Sequence, residues 1–384
     1  MAAFQTLASA TEPVRMVLVG AGGMGKQWIA ALTANADVDL VGVVDLDMDA
    51  ARAALDAAGL DGTPVGTSVS ALAAETGAHA VVNVTVPVAH HPVNVEAMFA
   101  GLPVLCEKPA APTVSLALSL AASAEAAGQL LMISQSRRYY QSLAAFRSEV
   151  GGLGDIGMVT TEFFKAPRFG GFRDEMQHVL LVDMAIHAFD VARYLVEQDP
   201  VAVYCDEFNP SWSWYRADAA ATAVFELSGG TRYVYTGSWC SDGLETSWNG
   251  SWRVSGAGGT ATWDGEGQPT VERVSASSAD DAPTATAVSE SADAAAAGPE
   301  EIAGSLAEFV SALRTGETPS GEIHSNIYSL AMVEAAVTSA ETHQRVLIDD
   351  VITAALADAK ANERNDAVRA ILEGWESPAA IGKR

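Results

Sequence analysis

Asp183, His187 and Asp190 recur at i, i+4 and i+7 within Val182-Asp183-Met184-Ala185-Ile186-His187-Ala188-Phe189-Asp190, a spacing that gathers two carboxylates and an imidazole on one face of a helix. Leu181, Met184, Ile186, Phe189 and Val191 cover the rest of that helix. A polar stripe in so apolar a setting must meet water, partners or a substrate, because burying it unpaired is costly. The residue types suit proton transfer: an imidazole with an ordinary pKa of about 6.5 takes a hydroxyl proton near neutrality, and a nearby carboxylate orients it. Aspartate and histidine also bind zinc, but three or four ligands should converge and no thiolate cluster accompanies them. No metal site is expected.

A second reactive group stands in Cys106-Glu107-Lys108-Pro109, at the C-terminal end of an apolar strand. In open α/β sheets ligands sit outside such strand ends, so Lys108 would point into a cofactor crevice. Pro109 cannot continue a ladder and fixes the local turn, with a cis peptide as one way to do so. Taken alone, Lys108 reads better as a surface lysine at a strand end. A third feature is a local excess of base, with Arg137, Arg138, Arg147, Lys165, Arg168 and Arg173 in an otherwise acidic chain. These residues could hold an anionic substrate or pair with surface acids.

The element that would bring a redox partner is Val17-Leu18-Val19-Gly20-Ala21-Gly22-Gly23-Met24-Gly25, an apolar strand emptying into Gly-x-Gly-x-x-Gly and then a helical segment. Gly20 permits a tight turn, Gly22 lets backbone approach a pyrophosphate, and Gly25 allows close strand–helix packing over a helix N-terminus rich in free N–H groups. A second strand ends in Asp45, 20 positions beyond Gly25, where an acid takes adenosine ribose hydroxyls. Asp45 repels a 2′-phosphate and Leu46 and Asp47 offer no base to welcome one, so NAD is expected over NADP.

At 384 residues and 49% hydrophobic, the chain is long enough for two domains. Its formal charge of −26 argues against nucleic acid or an anionic membrane as partner. Three scattered cysteines, Cys106, Cys205 and Cys240, form neither a disulfide framework nor a metal spacing. With no basic, apolar leader and no apolar run of about 18 residues, a cytoplasmic setting is expected.

Strands are expected at 15–20, 38–45, 80–86, 103–106 and 130–134, with helices at 25–34, 48–58, 92–100 and 113–127 and a helical turn near 69–75. This alternation calls for a parallel sheet covered on both faces. Beyond residue 135 come a helix at 140–150, a strand at 157–165, an apolar helix at 180–196, and strand-like segments at 201–207, 219–227, 231–238, 246–254 and 260–264. The fold class is therefore α/β: a doubly wound Rossmann domain at 12–135, then an α+β domain at 136–349 with a large, mostly antiparallel open sheet, and a helical tail at 350–384. Aromatic residues between 212 and 252 read as sheet core or an interface between copies, with a sugar-stacking surface as the alternative. The Ala-, Ser- and Asp-rich run at 275–299 is expected to be a mobile loop.

The glycine loop, Asn83-Val84-Thr85-Val86-Pro87 with His91 following, Gly101-Leu102-Pro103-Val104-Leu105-Cys106-Glu107-Lys108-Pro109, and Asp183-x-x-x-His187 together resemble the Gfo/Idh/MocA family of glucose–fructose oxidoreductases and inositol dehydrogenases. The similarity runs from about residue 15 to 348. It implies that Lys108 anchors the reacting hydroxyl, Asp183 positions substrate or partners the base, and His187 accepts the proton. It further implies that Gly20, Gly22, Gly23, Met24, Gly25 and Asp45 hold NAD, while Thr85, Pro87, His91, Glu107 and Lys108 line the ribose and nicotinamide side. Substrate contacts are expected from Arg138, Tyr139, Arg168, Arg173 and His178, the last standing where many relatives are glycine-rich. The implied function is hydride transfer between NAD and a hydroxyl carbon of a sugar, glycoside or cyclitol, in a homodimer or homotetramer. Two other readings share the fold: a non-catalytic sensor or regulator, and an enzyme passing hydride between two sugars on a tightly held cofactor.

Overall fold

The computed structural model describes residues 4–9, 11–274, 289–290 and 298–381. Two compact units divide the chain, one from Met1–Ser136, Pro299–Ile327 and Ile352–Arg384, the other from Arg137–Gly298 and Tyr328–Val351. Pro299–Ile327 and the tail from Ile352 onward thus both group with the first unit.

The first unit is built on a six-stranded parallel sheet of β1 (Val14–Val19), β2 (Val38–Val44), β3 (Val65–Gly66), β4 (Ala80–Asn83), β5 (Val104–Glu107) and β6 (Leu131–Ser134), in the order β3-β2-β1-β4-β5-β6. The order reverses direction between β1 and β4, creating a switch point where ligands of such sheets bind. Val17, Leu18, Val81, Val82, Val104 and Leu105 are fully buried, as continuous apolar strands covered on both faces require. Asp47, Ser68 and Thr113 cap the helices that follow, and Gly77 and Gly128 end theirs in the left-handed conformation.

Two boundaries depart from the sequence pattern. β4 stops at Asn83, three residues early, because the Asn83 carboxamide turns back to accept from the Thr85 N–H at 3.2 Å and its hydroxyl at 2.7 Å. The next helix, Pro87–Phe99, begins five residues early. Pro87 at its first turn is preorganised for it, and Pro92 inside gives up a single helical hydrogen bond.

The tail closes onto this unit. Ser115 donates to Asp358 at 2.6 Å and Ser119 to Glu363 at 2.7 Å, fastening the Val114–Ala127 helix. The Asp366–Gly374 helix buries Val368 and Leu372, and Trp375 is buried just beyond.

The second unit holds a nine-stranded sheet of β7 (Ile156–Phe164), β8 (Pro200–Phe208), β9 (Ala220–Leu227), β10 (Arg232–Ser238), β11 (Ser251–Gly256), β12 (Gly259–Trp263), β13 (Thr270–Arg273), β14 (Ser289–Glu290) and β15 (Val346–Leu347). Their order is β14-β13-β12-β11-β7-β10-β9-β8-β15, antiparallel except for the parallel pair β7–β10. β11 begins at Ser251 and not at 246, because Gly250 turns the chain at φ +77°. One face is closed by the Ile186–Val196 helix, whose Phe189 meets Phe225, Tyr233 and Tyr235 at centroid distances of 4.8, 6.2 and 5.3 Å. Tyr233, Tyr235, Trp239 and Trp252 are thus core. The loop expected over 275–299 lies outside the described residues apart from 289–290 and 298–299.

Candidate functional site

In the first unit the C-terminal ends of four adjacent parallel strands assemble the cofactor side. Gly20 follows β1 at φ +100°, where any side chain would also meet the Val84 carbonyl oxygen at 2.9 Å. A side chain at Gly25 would collide with the Gly20 carbonyl. Gly22 and Gly23, by contrast, face open space, and the Gly23–Ala34 helix starts with no side-chain cap. A cleared approach ending on uncapped N–H groups fits a dinucleotide pyrophosphate. Exposed Met24 borders it. At the end of β2, one Asp45 oxygen accepts from the Ala21 N–H at 2.7 Å and the other from the Asp47 N–H at 2.9 Å, so the carboxylate braces the glycine turn.

The end of β5 carries Lys108, half-buried, before a cis peptide to Pro109. Glu107 is fixed by Trp28, whose indole N–H donates to it at 2.9 Å, while the Lys108 N–H donates to its other oxygen at 3.2 Å. Removal from water pushes the Glu107 carboxyl up, against the opposing pull of these donors and of the Lys108 charge.

The residue that ties this turn to its neighbour escaped the sequence reading. His90, 1% exposed, places Nδ1 2.7 Å from the Pro109 carbonyl oxygen and Nε2 3.0 Å from that of Thr85. His91 was expected to line the ribose and nicotinamide side. Its Nε2 instead meets the Ser119 hydroxyl at 3.0 Å, beside Glu363 of the tail. The reason is the early helix start: neighbouring residues lie about 100° apart around a helix, so placing His90 inward turns His91 toward the next helix. Thr85 is half-buried and Pro87 exposed, both just beyond the end of β4.

In the second unit, Leu180–Ala185 winds as a π-helix before the Ile186–Val196 α-helix, so Asp183, His187 and Asp190 do not form the uniform α-helical stripe expected. Such bulges are frequent at functional sites. Asp183 and His187 are half-buried. Arg173 donates to Asp183 at 2.6 Å. His187 lines a small cavity with Arg137, Met184, Tyr235, Trp248 and Trp252.

Asp190 is spent on structure: both its oxygens accept from Arg138 at 2.7 Å, and Ser329 donates to it at 2.7 Å. Arg138, expected to touch substrate, is therefore sealed in a buried ion pair. Tyr139, half-buried, ends the 3-10 turn Ser136–Tyr139. Arg168 is exposed, paired with Asp242 at 3.1 Å and lying 3.5 Å over the Trp214 ring. His178 is held at 2.5 Å by Glu207 and faces Glu341 at 3.4 Å. The Glu207 hydrogen bond raises its pKa despite partial burial. Among the described residues no group of three His, Cys, Asp or Glu side chains could hold a metal, and no helix is long and apolar enough to cross a membrane.

The chain matches two family models: an oxidoreductase family with an NAD-binding Rossmann fold over residues 14–135, and the GFO/IDH/MocA C-terminal domain over residues 147–262. Among curated proteins it is 31% identical over 194 residues to inositol 2-dehydrogenase 4 of Saccharopolyspora erythraea, covering 50% of this chain and 56% of that protein. It is 33% identical over 205 residues to the inositol 2-dehydrogenase of Rhizobium meliloti, covering 50% and 57%. The chain thus spans just over half the length of these two relatives. Two solved structures share the fold. An oxidoreductase from Agrobacterium radiobacter in complex with NAD+, L-tartaric acid and magnesium has a TM-score of 0.76 at 20% identity, over 87% of this chain and 98% of that one. A WlbA dehydrogenase from Chromobacterium violaceum, in complex with NADH and UDP-GlcNAcA, has a TM-score of 0.71 at 19% identity, over 89% and 97%. With its glycine turn, braced Asp45 and both matched domains, the chain belongs to the Gfo/Idh/MocA oxidoreductase family and carries an NAD-binding Rossmann domain.

Proposed function

We propose that this chain is an NAD-dependent dehydrogenase acting on a secondary or anomeric hydroxyl of a sugar, glycoside or cyclitol. The observation that carries the reading is the Lys108 turn, held by Glu107 on one side and by His90 on the other, at the strand ends that also present the glycine loop. When bound, NAD supplies the hydride acceptor for the carbinol carbon. Lys108 anchors the reacting oxygen by a charge-assisted hydrogen bond. His187 takes the hydroxyl proton, and Asp183, oriented by Arg173, positions the substrate or the base. Asp45 selects NAD over NADP by accepting ribose hydroxyls and repelling a 2′-phosphate.

A second copy of the chain is the proposed protein partner. Tyr204, Val224, Val234 and Thr160 are successive neighbours across the ladders of β8, β9, β10 and β7, and Tyr204 and Val224 are exposed on the uncovered face.

Lys108→Ala and His187→Ala test the chemistry. Each is expected to lower kcat by about 10²–10⁴-fold, the usual worth of positioned proton transfer, while NADH binding followed by fluorescence stays near wild type. Unchanged turnover in both variants would remove the mechanism.

A further inference from the structure

The basic residues between 137 and 173 are all engaged within the second unit. Arg137 donates to the Trp248 carbonyl and the Asn249 carboxamide, Arg138 is locked to Asp190, and Arg147 pairs with Glu197. Lys165 holds Glu245 at 2.8 Å, and Arg168 and Arg173 hold Asp242 and Asp183. An incoming carboxylate or phosphate would have to displace an acid from any of these bases except Arg137, which is held by a carbonyl and a carboxamide instead. It would also approach a chain carrying 48 acids against 22 bases, whose field repels anions at a distance.

Beside His187 the surface offers aromatic faces. Trp248, 44% exposed, lines the His187 cavity, and Phe169, 53% exposed, stacks on it with centroids 6.2 Å apart and planes at 28°. Phe169 also meets buried Trp239 in an edge-to-face pair with centroids 5.9 Å apart. The Arg173 guanidinium lies 5.1 Å from the Phe169 ring centre and bonds Asp183, so the stacking pair is tied to the proposed substrate-positioning carboxylate. Flat, half-exposed rings next to polar groups suit a ligand with an apolar C–H face and hydroxyl edges.

We propose that the substrate of this site is an uncharged ring, a neutral glycoside or cyclitol, seated on Phe169 and Trp248, and not a sugar acid or nucleotide sugar. This rests on the dehydrogenase reading above for the role of the site, but its test is a binding measurement that stands without turnover.

The experiment titrates full-length protein with NADH present, by calorimetry, using myo-inositol, methyl β-D-glucoside and phenyl β-D-glucoside against D-glucuronate and L-tartrate. The tightest neutral ring is expected to bind at least about tenfold better than either acid. Phe169→Ala should weaken that ring about tenfold and Phe169→Tyr should restore it to within about threefold, with thermal melting checking that both variants fold. Tighter binding of glucuronate or tartrate, no binding of any neutral ring, or an unchanged affinity in Phe169→Ala would overturn the inference. NADH formation from NAD is then followed with the same panel. A neutral ring that binds without being oxidised sinks the dehydrogenase reading alone, whereas oxidation confined to the acids sinks the present inference alone.

Discussion

His90 joins Pro109 through a 2.7 Å contact between Nδ1 and the carbonyl oxygen, and its other nitrogen faces the Thr85 carbonyl at 3.0 Å. Burial, with the Lys108 charge adding to it, lowers the pKa of this imidazole, so near neutrality the ring carries one proton. Both neighbours are carbonyl oxygens, so a neutral ring donates to one of the two, and in either tautomer it bridges the turn that presents Lys108 to the end of β4. His90→Leu would leave one of these two carbonyl oxygens without its donor, at a cost of about 1–3 kcal/mol in urea denaturation. It should also lower kcat/KM about tenfold or more by loosening the Lys108 amine. His90→Gln keeps a donor and should recover part of both losses. Stability and kinetics unchanged in the leucine variant would remove the pinning role.

Asp45 braces the glycine turn and is the residue proposed above to accept the adenosine ribose hydroxyls. Asp45→Ala is expected to raise kcat/KM with NADP relative to NAD by about tenfold, since the repulsion of a 2′-phosphate goes with the carboxylate. Parallel assays with the two cofactors read the ratio. A wild-type protein already preferring NADP would contradict this account of β2.

The Arg138–Asp190 pair is the most deeply buried ion pair described in the second unit, with side chains 6% and 1% exposed. Asp190→Asn strands a guanidinium in the core and should cost about 3–5 kcal/mol in chemical denaturation. Arg138→Met combined with Asp190→Leu should recover most of that loss. A substrate contact would behave differently, with KM rising in Arg138→Met while stability held.

His324 sits between Glu322 at 2.6 Å and Glu125 at 2.9 Å. Burial alone would lower its pKa, but the two carboxylates outweigh burial and raise it to about 9 from an ordinary 6.5. The proton is thus bound more tightly folded than unfolded. The resulting stability is fully present below pH 6.5 and fades as pH climbs through about 9, by up to roughly 3 kcal/mol. Denaturation of wild type and His324→Gln from pH 6 to 10 should converge toward the alkaline end. A constant difference across that range would exclude the proton linkage.

The Rossmann strands and glycine turn were legible because local signals agreed: apolar runs, helix caps, and an acid at the right distance. What escaped depended on partners remote in sequence or on hydrogen-bond register. Arg138 finds Asp190 across 52 positions and Lys165 finds Glu245 across 80, so a list of bases alone could not separate a ligand site from ion pairs. Whether His90 or His91 turns inward depends on where the helix starts. A π-helical Leu180–Ala185 has the same apolar pattern as an α-helical one.

The Val114–Ala127 helix is covered by Asp366–Gly374, and β6 is joined at Ile133 and Met132 by Gly321 and Glu322. For a nascent polypeptide this dictates an order of events. The nucleotide-binding strands leave the ribosome before the residues that cover them, and the Val114–Ala127 helix keeps a bare oily flank until Asp366–Gly374 has been translated. Completion of the nucleotide-binding half therefore waits for Asp366–Gly374, an interval in which chaperones would find their natural target.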